Sequence, residues 1–147
     1  MEDLDEHSGF LMLQVSSLWK EIQEQLLKKH HGITHIQYVV LGSIAWLLFN
    51  EKKEVTQIML SKHTKIAPMT ISQTVKVLEK KGYLYRQTHS SDVRAKSVLF
   101  TTKGEELVRR AAPTITTADN KFFSSLKGAD AKKFNSYMLS LLQANDH

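Results

Sequence analysis

Apolar positions recur at steps of three and four over residues 10–28, where Leu11, Val15, Leu18, Trp19, Ile22 and Leu26 form one stripe and predict an amphipathic helix. Gly32, inside HHGIT (30–34), breaks that pattern. Thr34 and Gln37 match a T-x-x-Q capping box that opens a second helix running to about Phe49. NEKKE (50–54) reads as a polar turn. Thr56 is predicted to cap a short helix through about Ser61, with Met59 and Leu60 facing in, and residues 62–67 form a connection. Pro68 suits the first turn of the next helix, because it lacks the amide hydrogen that would go unpaired there. Gly82 sits where that helix ends.

The period then shortens to that of strands. YLYRQT (83–88) and SVLF (97–100) flank the polar tip HSSDVRAK and predict a β-hairpin. Thr102 and Glu105 have the spacing of a second capping box. They open a long helix with Leu107, Val108, Ala111, Ala112, Ile115 and Ala118 inward, and Pro113 is expected to bend it. Phe122, Phe123 and Leu126 continue the apolar pattern, Gly128 punctuates it, and Phe134, Tyr137, Met138, Leu141 and Leu142 line a final helix. The fold class is therefore mainly α with a small β-hairpin. Residues 55–101 read as a helix-turn-helix with a β wing.

The chain of 147 residues suits one domain, and its 41% hydrophobic residues are too many for a disordered chain. Cysteine is absent, which excludes disulfides, thiolate zinc sites, iron–sulfur clusters and cysteine redox switches. The first six residues hold four acids and no basic segment, so no signal peptide is expected. The longest apolar run, YVVLGSIAWLLF (38–49), is short of the roughly 20 residues that span a bilayer and reads as a buried core helix. A cytoplasmic protein is expected. Of the net charge of +5, residues 1–60 contribute −3, residues 61–110 contribute +7 and residues 111–147 contribute +1. That concentration is the footprint of a site for a polyanion, or else an ordinary solvated surface.

The helix in the basic third separates these readings. At about 100° per residue, Ile71, Val75 and Leu78 fall together, whereas Met69, Gln73, Lys76 and Lys80 fall opposite them. Thr70 and Ser72 flank this second face near its N-terminus, and Glu79 lies nearer the buried side. Gln bonds an adenine edge in bidentate fashion, hydroxyls bond several edges, and lysines bind phosphate. The face therefore suits a DNA major groove. Arg86 leaves the first strand, and Asp92 and Arg94 sit in the hairpin tip, where an arginine fits a narrow minor groove and Asp92 holds the loop or orients an arginine.

ITHIQYVVL (33–41), EVTQIML (54–60), TISQTVKVLEKKGYLYR (70–86), DVR (92–94) and FTTKGEEL (100–107) occur in order and at fitting intervals, and in them the chain resembles the MarR family of transcription regulators. The resemblance covers roughly residues 33–110. It implies one winged helix-turn-helix domain over 1–147, with its core at about 54–102 and long dimerisation helices at about 8–30 and 103–144. It implies a homodimer on pseudo-palindromic double-stranded DNA, acting in transcription, as a repressor by expectation, without enzymatic activity or cofactor. Pro68, Met69, Thr70, Ser72, Gln73 and Lys76 would be groove residues, Arg94 would reach from the wing with Asp92 beside it, and Arg86 and Lys96 would meet phosphate or brace the wing. Gln73 stands where many members carry arginine, which bears on the target sequence.

Release by a small aromatic or anionic effector is a further implication, with Trp19, His35, Tyr38 and Trp46 as candidate pocket residues or plain core. A metal-responsive regulator built on His30, His31 and His35 is an alternative, but Gly32 and the Thr34 cap interrupt their helical spacing, and no metal ligand is assigned. A winged helix that binds protein rather than DNA is the other alternative. G-x-S-x-G, H-E-x-x-H and a glycine-rich phosphate loop are all missing from the sequence. The terminal apolar stripes lie outside the winged module and ask for cover, which a two-fold mate would supply.

Overall fold

The computed structural model describes residues 6–51, 54–88 and 96–146. The first helix, α1 (Ser8–His31), ends at Gly32 in the left-handed region at φ 67°. α2 (His35–Asn50) starts from the predicted capping box, with the Thr34 hydroxyl accepting from the Gln37 amide and the Gln37 side chain accepting from the Thr34 amide. The axis bends by 82° between α1 and α2. Thr56 caps α3 (Gln57–Thr64), which extends one turn beyond the expected end because the Thr64 hydroxyl donates to the Leu60 carbonyl and Lys65 closes the helix at φ 64°. Leu60 is buried and Met59 half-buried. α4 (Pro68–Lys80) follows. No single helix among the described residues is long and apolar enough to cross a membrane.

The hairpin pairs β1 (Leu84–Thr88) antiparallel with β2 (Lys96–Phe100), in a register from Leu84 opposite Phe100 to Thr88 opposite Lys96. β2 also takes a partner on its other edge. The Val98 amide donates to the Val55 carbonyl at 2.7 Å, and Thr56 bridges Ser97. The segment entering α3 is thereby tied to the wing.

α5 (Thr102–Phe122) continues through Pro113. Its cap corrects the sequence reading: Thr101, not Thr102, accepts from the amide of the third helical residue, Gly104, at 3.1 Å. The predicted Thr102–Glu105 box fails because the helix begins one residue earlier. Thr101 is held in place from the other side, its hydroxyl donating to the Gly82 carbonyl at 2.6 Å.

The chain forms two compact units, Met1–Ile115 and Thr116–His147. In the first, Leu27, Ile33, Val40, Leu41, Ile44, Val55, Leu60, Ile71, Val75, Leu78, Val98 and Leu107 are among the side chains that make one core. Only Gln23 and Leu27 of α1 are buried, while Leu11, Val15, Leu18 and Ile22 of its expected stripe are exposed. In the second unit, the Phe122 and Phe123 rings meet edge to face at 5.0 Å, and Phe123 lies 6.2 Å from Phe134 of α6 (Ala129–Asn145). A half-open cavity of about 320 Å³ lies among Asp119, Phe123, Leu126, Phe134 and their neighbours. No α6 residue is buried, and Tyr137, Leu141 and Leu142 stand open.

At Gly104 a Cβ would lie 2.0 Å from the Tyr83 carbonyl oxygen, so glycine is required for the start of α5 to seat against the α4–β1 corner. Gly104→Ala is expected to lower stability by about 1–3 kcal/mol, read by urea unfolding, because the clash is with backbone that cannot turn aside.

Candidate nucleic-acid interface

Two local features build α4. Pro68 occupies the first turn, and Ala67, at the cap position, offers no side-chain acceptor to the free amides behind it. At the other end Gly82, at φ 82°, sets up a paired termination: the Gly82 amide donates to the Glu79 carbonyl and the Tyr83 amide to the Leu78 carbonyl. Between these ends Ile71, Thr74, Val75 and Leu78 are buried. The Thr74 hydroxyl is satisfied there by donating to the Thr70 carbonyl at 2.7 Å.

The opposite face is the predicted one. Pro68, Met69, Thr70, Gln73, Lys76 and Lys80 are exposed and Ser72 is half-buried. Met69, 73% exposed, presents its thioether outward. Glu79, the single acid of α4, is neutralised by Arg86, with Nε 2.7 Å from Oε1. The pair links β1 to α4, a contact of the kind expected of a wing brace. Lys96 is exposed on β2. Asp92 and Arg94 lie outside the described residues. Lys62 and Lys65, exposed just before Pro68, add charge at the entrance to α4 that the sequence reading passed over. SKHTK (61–65), two residues before the proline, carries that signal.

The four aromatic pocket candidates divide. The Trp19 ring meets His35 edge to face at 5.0 Å, whereas Trp46 stacks on His63 of α3 at 4.9 Å. His35 and Trp46 are eleven residues apart on α2, or about 16 Å of helix. Tyr38 packs against the core and covers Gly42. The chain thus carries an aromatic–imidazole pair at each end of α2. The His31 imidazole has a structural partner, with Nε2 2.8 Å from Thr114 Oγ1, and the His35 backbone amide donates to Glu24 Oε2 at 2.6 Å. No three of His, Asp and Glu gather as a metal site among the described residues.

Burial, and then repulsion from His30 and Arg110, holds the His31 imidazole below its ordinary pKa. Burial pushes Glu24 up, but the His35 amide and Lys28, whose Nζ is 3.2 Å away, outweigh it and hold the carboxyl below its usual value. A depressed carboxylate adds stability above its unfolded pKa and loses it as pH falls through the folded one. Glu24→Gln is therefore expected to lower the melting temperature at neutral pH. Its deficit against the parent should shrink as pH falls below about 4, a trend that scanning calorimetry across pH would read.

With this geometry in view, comparison with known proteins is informative. A family model described as "ArnR1-like, winged-helix domain" matches residues 29–116. An HTH-type transcriptional regulator of Bacillus subtilis, YdcH, is 31% identical over 117 residues, covering 80% of this chain and 78% of that protein. Among solved structures, Sco3205 from Streptomyces coelicolor, a MarR family regulator in complex with DNA, superposes with a TM-score of 0.86 at 23% identity, covering 100% of this chain and 91% of that one. CouR from Rhodococcus jostii RHA1, bound to p-coumaroyl-CoA, gives 0.81 at 22% identity over 96% and 95% of the two chains.

Proposed function

The chain belongs to the ArnR1-like winged-helix family, and from that premise we propose that it is a transcription regulator of MarR type whose α4 reads a DNA major groove. The observation that carries this is the chemistry of its outer face. Thr70, Ser72, Gln73 and Lys76 present hydroxyls, an amide and a cation, and the helix's single carboxylate is spent on Arg86. Gln73 bonds a base edge. Thr70 and Ser72 choose among edges near the N-terminus, and Met69 touches a thymine methyl. Lys76, Lys96, Lys62 and Lys65 meet phosphates, as do the uncapped amides at Ala67. Asp92 and Arg94 act from the wing tip. Arg86 acts indirectly, by holding the wing against α4.

The working unit is a homodimer. Leu11, Val15, Leu18 and Ile22 on α1, and Tyr137, Leu141 and Leu142 on α6, are too much apolar surface to leave in water. An isologous mate would cover both sets and present two α4 helices to successive grooves, about 34 Å apart, on a pseudo-palindrome. The dimer represses from the cytoplasm and catalyses nothing. A small aromatic or anionic effector releases it by favouring one arrangement of the helices over another. A protein bound to p-coumaroyl-CoA among the structural relatives supports that part of the reading. Trp19 and His35 are the better half of the candidate pocket, since they already touch.

Selection of bound fragments from random duplex DNA tests the whole reading. It should return paired half-sites, and retention should fall steeply with added salt. A protein-interaction module would retain no duplex even in dilute buffer. Gln73→Ala is expected to relax preference at one base position of each half-site, by about 1–3 kcal/mol, with other positions unchanged. An unaltered preference profile would remove Gln73 from the groove.

A further inference from the structure

The C-terminal end of α4 is gripped from two sides by groups that the DNA-reading role does not use. From α5, Lys103 Nζ donates to the Lys81 carbonyl at 2.9 Å and lies 4.8 Å over the Tyr83 ring. Thr101 holds the Gly82 carbonyl, and its amide donates to the Tyr83 carbonyl at 3.1 Å. From α2, the half-buried contact is between side chains: Lys81 Nζ donates to Gln37 Oε1 at 3.3 Å.

Gln37 is itself 8% exposed, and the same oxygen accepts the Thr34 amide at 3.1 Å in the α2 capping box. The residue after Thr34, His35, gives its amide to Glu24 of α1. A continuous chain of polar contacts therefore runs from α1, through the start of α2, to the end of the helix proposed to read DNA. Hydrophobic burial fixes how α4 rolls about its axis but resists tilting poorly, because apolar contact is not directional. Directional bonds at one end supply that resistance.

We infer that Gln37 and Lys81 are positioning residues for α4: their bond ties the tilt of the recognition helix to the α1–α2 junction, so that a change at that junction alters DNA affinity. The inference rests on the DNA-binding reading above. Lys81 is an exposed cation near a basic surface, and the rival role for it is a plain phosphate contact. The two roles part company in three measurements. A phosphate contact, once removed, weakens specific and non-specific DNA equally and lowers the salt slope by about one. A lost positioning bond weakens specific binding alone and leaves the slope intact. It also makes Gln37 and Lys81 behave as one unit.

The experiment compares the full-length parent with Lys81→Met, Gln37→Leu, their double variant and Gln37→Glu, on the selected duplex and on a scrambled one. Lys81→Met and Gln37→Leu should each lose about fivefold in specific over non-specific affinity, with unchanged salt slope, and the double variant should lose no more than either single one. Gln37→Glu keeps both the capping geometry and an acceptor for Lys81, so it should bind as the parent does. Circular dichroism at the assay temperature checks that each variant is folded; were Gln37→Leu to unfold, Lys81→Met and Gln37→Glu still decide the matter. Additive losses, or a lower salt slope for Lys81→Met with equal loss on both duplexes, would overturn the inference while leaving DNA binding by α4 intact. Failure of the parent to retain either duplex would instead overturn the DNA-binding reading, and this inference with it.

Discussion

Burial of Ile71, Val75 and Leu78 turns α4 so that one face is dictated by the core and the other is free for chemistry. Rolling the helix by a quarter turn would bring these three into water at a cost of about 1.5–3 kcal/mol each, and would push Lys76 toward apolar surroundings. No arrangement of polar contacts on the outer face competes with that. The outward presentation of Thr70, Gln73 and Lys76 is thus a by-product of packing, and those positions are free to vary in identity without disturbing the fold. The same logic explains why Thr74, one residue beyond Gln73, is spent on the backbone: it falls on the inner side and must satisfy its hydroxyl locally.

The wing is fastened to its neighbours at three places: to α4, to the segment entering α3, and at the corner where α5 begins. Arg86 and Glu79 make a charge pair, Val98 and Val55 share a backbone bond, and Gly104 allows the start of α5 to come up against Tyr83. An exposed ion pair would add little, but this pair is only 28% exposed on each side and joins two elements that already touch. The ion pair therefore joins the β-ribbon to α4 directly. That matters for any groove-reading role, since a two-stranded ribbon alone is marginal in water.

Much of this was legible beforehand, and the exceptions are instructive. Gly32, Gly82 and the Thr34–Gln37 box announce their termini because each answers a local backbone need, and local needs are written in neighbouring residues. Thr101 and Thr102 could not be told apart in this way: both precede a helix, and Thr102 has the better-spaced glutamate. The choice was made by Gly104 approaching a carbonyl 21 positions away in the chain. The Arg86–Glu79 pair and the bridge from Thr56 to Ser97 were hidden for the same reason. The aromatic candidates divide because α2, at 16 residues, keeps His35 and Trp46 at opposite ends, and α3 offers His63 to the far one. The tip residues Asp92 and Arg94 fall outside the described chain.

Ala67 leaves the front of α4 less stable than it need be. A serine or aspartate there would add about 1 kcal/mol by accepting from the first-turn amides, yet such a side chain would occupy the very donors that an incoming anion requires. The vacancy links occupancy to rigidity: an oxyanion settling at that end supplies the missing acceptor, so the helix is at its firmest when it is engaged. The missing acceptor lies at the first turn of α4, so an anion bound there would complete that turn.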